Sequence, residues 1–156
     1  MKHSFIGIDP GANGGIAMIT GDYNWYAERF PIDKDTRKAK SLFETMVLES
    51  RNEGHLVKVY IERVHAMPTD GRSSAFKFGV NYGTWLGITA NSEINLVTPQ
   101  MWQRHYGQLP KEKKDKKNKL KEMAINLVNN QCKTTLATSD AILIANYGKE
   151  TYGNQD

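Results

Sequence analysis

Three carboxylates stand where a folding chain gains nothing from charge. Asp9 closes the apolar run FIGID at 5–9, and Glu62 closes VKVYIE at 57–62. Asp140 sits among small and aliphatic residues in SDAILIA at 139–145. Alternate side chains of a strand share a face. Ile6 and Ile8 therefore point one way and Phe5, Gly7 and Asp9 the other, while Val57, Val59 and Ile61 oppose Glu62. If the two strands are adjacent and parallel, both acids stand together at their carboxyl ends. Neighbouring carboxylates raise each other's pKa unless a cation lies between them. Three oxygen donors suit Mg²⁺ or Mn²⁺. Each acid also has a plainer reading. Asp9 before Pro10-Gly11 is a turn former, Glu62 is a strand-end charge paired with Arg63, and Asp140 is an acid favoured by the dipole at a helix start.

The charge is as uneven as the acids are placed. KEKKDKKNKLKE, Lys111 to Glu122, holds seven lysines against three acids. Its excess of four equals that of the whole chain, 21 Lys+Arg against 17 Asp+Glu. Lys111, Lys113, Lys114, Lys116, Lys117 and Lys119 thus form a candidate DNA-phosphate patch, because each neutralised phosphate releases counterions. A solvated lysine-rich linker or helix face is the alternative. Leu120, Met123, Ala124, Leu127 and Val128 follow at helical spacing, so the lysines lead into an amphipathic helix.

The elements that must position these groups follow from periodicity and turn signals. Strands are expected at 4–9, 16–20 and 24–30, joined by the PGANGG turn and by Gly21-Asp22 and ended by Pro31, which makes an antiparallel meander. Ala39, Leu42, Phe43, Met46 and Val47 define a helix over 36–52, closed near Gly54. That helix carries the chain back, so the strand at 57–62 runs parallel to the first. A helix at about 73–90 carries Gly79, Gly83 and Gly87 in one stripe. Each glycine weakens a helix by up to about 1 kcal/mol, so three aligned ones ask for a close backbone, either the chain's own sheet or a second subunit. Phe76, Phe78, Tyr82 and Trp85 read as core or dimer contacts, and Trp102 and Tyr106 as packing residues. A strand at 94–97 and a short helix opened by Pro99 follow. The last helix starts at about 139, capped by Thr138 or Ser139. Residues 1–150 read as one domain and 151–156 as a frayed tail.

Composition bounds the rest. The 156 residues are 39% hydrophobic, which excludes a wholly disordered chain. No run of about 18 apolar residues offers a membrane span. The N-terminus meets Asp9 and glycines before a signal-peptide core forms. A lone cysteine, Cys132, allows no internal disulfide and fits a reducing, cytoplasmic compartment. No histidine–cysteine cluster offers a zinc site.

FIGIDPGANGGIA at 5–17, VYIERVHA at 59–66 and SDAILIA at 139–145 resemble, in this order, the motifs of the RuvC-type Holliday-junction resolvases of the ribonuclease-H-like superfamily. The Pro99 segment and the lysine-led helix match in order too. The compact length and few cysteines are similar to phage-encoded members, whose workplace is the host cytoplasm. The resemblance implies an α/β, ribonuclease-H-like fold whose mixed sheet has five strands, three antiparallel and then two parallel, flanked by helices. It implies a homodimeric, Mg²⁺-dependent endonuclease, with Mn²⁺ substituting, that cuts four-way and other branched DNA by paired phosphodiester hydrolysis. No membrane and no small-molecule cofactor are implied. Asp9, Glu62 and Asp140 take the positions of metal ligands, Asp9 bridging two ions, and Lys117 that of a catalytic basic residue near the scissile phosphate. Two positions depart from the family. Its fourth metal-site residue, an Asp or His three or four places before the last acid, is here Ala137 or Leu136. The aromatic that stacks at the junction centre is here His65, either a DNA-stacking group or an ordinary loop histidine. A branched-DNA binding module with weak or no cleavage, and a ribonuclease of the same superfamily, stay open. An actin-like kinase needs two such domains.

Overall fold

A computed structural model describes residues 1–30 and 35–153. The chain runs β1 (His3–Asp9), β2 (Gly15–Ile19), β3 (Trp25–Arg29), α1 (Thr36–Asn52), β4 (Leu56–Glu62), α2 (Arg72–Ile88), β5 (Glu93–Val97), α3 (Pro99–His105), α4 (Lys113–Val128) and α5 (Leu136–Tyr152). The five strands form one sheet in the order β3-β2-β1-β4-β5. β1 pairs antiparallel with β2, and β2 with β3, whereas β4 is parallel to both β1 and β5. This is the mixed sheet of the ribonuclease-H-like fold, as the resemblance implies. The expected stop at Pro31 lies outside the described residues.

The alternation along β1 and β4 sorts the side chains into two cores. Ile6, Ile8, Val59 and Ile61 join Ile16 and Met18 beneath Phe43, Met46 and Val47 of α1 and Trp85 of α2. Phe5, Ala17 and Tyr60 face the other way, toward Ala141 to Ala145 of α5, with Trp102 of α3 and Leu120, Ala124 and Val128 of α4 closing the layer. α5 is apolar nearly all round because sheet and helices enclose it. Its approach to β1 depends on Gly7, where a Cβ would lie 2.2 Å from the Ala141 carbonyl oxygen. Helix backbone therefore rests directly on strand backbone, and Asp140 comes to the face of the sheet that carries Asp9 and Glu62.

Several element ends differ from the expectation. α5 begins at Leu136, not at about 139: Thr135 is its N-cap, and the Thr135 amide donates to Thr138 Oγ1 at 2.9 Å in a capping box. Thr138 has the type of a cap but answers the cap from the third helical position. Asp140 thus lies in the second turn, and its reading as a helix-start acid is overturned. At the other end the helix runs through Tyr152 where fraying is expected from 151. The Tyr152 ring packs on His3 and Phe5 at 4.7 and 5.7 Å, and these contacts hold the last turn. α4 starts at Lys113 with Glu112 as its cap, so most of the lysine run is helix rather than a leader into one. α2 turns its glycine stripe outward: among the described residues a Cβ at Gly79, Gly83 or Gly87 would meet nothing within 4 Å. The chain's own sheet is therefore not the close neighbour. No helix among the described residues is long and apolar enough to cross a membrane.

Candidate active site

The PGANGG turn wraps the end of β1 around the Asp9 carboxylate. Oδ1 of Asp9 accepts the Gly11 amide at 3.0 Å. The Gly14 amide closes the turn on the Gly11 carbonyl at 2.9 Å. A Cβ on Gly14 would lie 2.1 Å from the Asp9 carbonyl oxygen and 2.8 Å from its Cγ, so only glycine fits. Asp9 does form a turn, as its plainer reading has it, but with one oxygen. On β4 the pairing of Ile8 with Ile61 sets Asp9 and Glu62 one step on, at the carboxyl ends of adjacent parallel strands. Glu62 makes no ion pair with Arg63. Its Oε2 instead accepts the indole Nε1–H of Trp102 at 2.7 Å.

Electrostatics links the three acids. Burial and then the charge of Asp9 push Glu62 up to about 8, with a smaller contribution from Asp140, against the Trp102 hydrogen bond. Burial and then Asp9 push Asp140 up to about 7, opposed by Lys117 and Lys116. Burial raises Asp9 as well, against the Gly11 amide and Lys117. Asp9 is thus the shared neighbour of the other two, the arrangement a bridging ligand requires.

Asp9 and Asp140 open into a cleft of about 610 Å³. Lys117 lines it, together with Arg29 from the end of β3 and Phe78 from α2. Leu136 and Ala137 give it an apolar wall where the family has its fourth ligand. A second recess of about 410 Å³ shares Lys117 and Leu136 and is lined by Lys113 and Lys114. Lys119 lies 3.6 Å from Glu122. Lys111 is exposed ahead of α4, and His65 is exposed in the loop after β4; neither lines the cleft.

Two residues escape the sequence reading. Arg29 donates from Nη2 to Asn13 Oδ1 at 3.2 Å, which braces it beside the turn. Only the β2–β3 register, pairing it with Gly15, brings it there. Trp102 is the core residue it was expected to be, fully buried, but it also holds Glu62. Phe78, expected as a core or dimer contact, is half-buried and lines the cleft.

The donor set fits hard divalent cations: three oxygen-bearing side chains, all held above their ordinary pKa chiefly by burial. Among the described residues the one group that brings three donor atoms within 4.8 Å of one another is Asp22, Glu53 and His55; the donor atoms of Asp9, Glu62 and Asp140 stand farther apart than that. It lies at the opposite end of the sheet, beside the start of β1 and β4. There Asp22 faces Nε2 of His55 and Glu53 faces Nδ1, each at 3.5 Å, and Lys2 pairs with Asp22. Asp22 and Glu53 thus face different ring nitrogens of His55.

The order of the sheet and the helices around it make a RuvC-type fold. Among solved structures, Thermus thermophilus RuvC in complex with a Holliday junction substrate is 14% identical, with 96% of each chain covered and a TM-score of 0.60. Thermus thermophilus RuvC in another structure is 16% identical over 96% of each chain, with a TM-score of 0.58. At these identities the likeness is one of fold. No protein-family profile and no curated protein sequence matches the chain.

Proposed function

We propose that residues 1–150 form a single nuclease domain, and that the chain is a metal-dependent, structure-selective endonuclease cutting four-way and other branched DNA. The observation that carries this is the coupling of Asp9 to both Glu62 and Asp140, all three raised by burial, with Asp9 and Asp140 lining a cleft together with Lys117 and Arg29. The resemblance to a fold whose solved neighbour holds a Holliday junction supports the substrate class.

Asp9, Glu62 and Asp140 would hold Mg²⁺ or Mn²⁺, with Asp9 shared. Such ions supply an activated water and neutralise the leaving oxygen in phosphodiester hydrolysis. The protein's own cations act around that chemistry. Lys117 binds the scissile phosphate and stabilises the charge that grows on it in the transition state. Arg29, braced by Asn13, grips the same backbone from the opposite wall. Lys113 and Lys114 hold the neighbouring phosphates in the adjoining recess. His65 and Lys111 contact DNA beyond the cleft. The open glycine stripe of α2, with Phe76 74% and Val80 47% exposed, is the surface for a second copy.

The apolar Leu136 and Ala137 favour one other reading, a junction binder that does not cut. Incubation with a labelled four-way junction, a linear duplex and an RNA–DNA hybrid, in Mg²⁺ or Mn²⁺, separates the possibilities. Selective cutting of the junction is expected. Junction binding without cutting supports the binder, and preferential cutting of the hybrid supports a ribonuclease.

A further inference from the structure

Trp102 is fully buried, and its indole has a single hydrogen to give. A buried tryptophan needs a partner for that hydrogen, and a backbone carbonyl would serve. Here the partner is the strand-end carboxylate, with Nε1 2.7 Å from Oε2 of Glu62.

The chain's path makes this contact rigid. Val97, the last residue of β5, lies opposite Glu62 in the parallel register, and the Arg63 amide donates to the Val97 carbonyl at 2.7 Å. The chain then turns at once into α3. Thr98 caps that helix, its hydroxyl accepting the Met101 amide at 3.2 Å, and Pro99 stands in its first turn. One turn later Trp102 comes to lie beside Glu62. The indole meets Tyr106 edge to face at 6.4 Å. Tyr106 is tied in turn to α5, its hydroxyl donating to the Leu143 carbonyl at 2.6 Å and accepting from Asn146 Nδ2 at 3.2 Å. A continuous chain of contacts therefore runs from α5, the helix of Asp140, through Tyr106 and Trp102 to Glu62. It uses one oxygen of Glu62 and leaves Oε1 to a cation.

On the reading of these acids as a metal site, we infer that Trp102 is a positioning residue, which fixes the rotamer of Glu62 and presents Oε1 to the metal shared with Asp9. Partners one step behind a metal ligand commonly change metal affinity by about 10-fold to 100-fold when removed.

The first test needs no nuclease activity. In ¹⁵N-labelled wild type the three tryptophans give three indole N–H signals. Titration with Mg²⁺ should move one of them, and the same signal should be displaced in Glu62→Gln. In Trp102→Phe that signal is absent, the Mg²⁺ concentration for half-maximal junction cleavage should rise about 10-fold or more, and the rate at saturating Mg²⁺ and junction affinity in chelator should stay near wild type. A purely packing tryptophan would move stability but not the Mg²⁺ dependence. If Trp102→Phe fails to fold, the wild-type titration still decides. Indole signals that ignore Mg²⁺, or a folded Trp102→Phe with an unchanged Mg²⁺ requirement, overturn the inference. An indole that responds to Mg²⁺ in a protein that cuts no DNA upholds the positioning role while defeating the nuclease reading. Junction cleavage with an unresponsive indole does the reverse.

Discussion

Glu62 carries its charge where burial and Asp9 make that charge expensive, and its pKa is pushed up to about 8 from 4.5. Asp140 is pushed up to about 7 from 3.8 for the same reasons. In the unfolded chain both return to their ordinary values. Between those values and about pH 8 the metal-free folded protein keeps protons that the unfolded chain has lost, so raising the pH favours unfolding. The stability these groups contribute is complete below about pH 4 and is lost through about pH 7–8. Glu62→Gln should therefore raise the melting temperature of metal-free protein at about pH 9, by about 2–4 °C for each 1 kcal/mol of relief. Excess Mg²⁺ should reverse the ranking, because wild type binds the ion better and is stabilised by mass action. A variant that melts at or below wild type without metal at that pH would show that Glu62 bears no such cost. At limiting Mg²⁺, cleavage should climb with pH between about 6 and 8, as the ligands lose the protons that compete with metal.

α4 presents its lysines as one rigid row, with Lys113, Lys114 and Lys117 lining the cleft or its adjoining recess. Changing Lys113, Lys114, Lys116 and Lys117 to Gln should weaken junction binding and flatten its salt dependence. Each lost phosphate contact should reduce the log–log slope by about 0.9. An unchanged slope would assign DNA to another surface. The acids were legible because alternation along β1 and β4 fixes a face, and because a helix must return the chain to a parallel neighbour. The start of α5 was not: Thr138 or Ser139 has the type of a cap, and only the reciprocal bond between Thr135 and Thr138 sets the start a turn earlier. Arg29 was hidden by register: an exposed strand-end arginine means nothing until β2 sets it beside the turn. Trp102 was hidden by type, because an indole among apolar residues reads as core whether or not its N–H meets a carboxylate. The glycine stripe was visible, but which neighbour it served depended on which way α2 faced.

A four-way junction has two-fold symmetry, and one chain holds one set of acids. Resolving the junction takes two opposed nicks, so the molecule should act as a C2 dimer. Gly83→Leu tests this, because a Cβ there meets nothing within 4 Å among the described residues. It should yield folded monomer by light scattering and lose paired cutting; a dimer with paired cutting intact would remove α2 from the interface. On the proposed function, Asp9 organises a metal-dependent cut in junction DNA. Its most direct test is cleavage of a labelled synthetic four-way junction by wild type and Asp9→Asn, with binding measured in parallel, in Mg²⁺ and in chelator. Wild type should cut in Mg²⁺ alone, and Asp9→Asn should bind the junction as wild type does yet leave it whole. Cutting by Asp9→Asn near the wild-type rate, or by wild type in chelator, would contradict it.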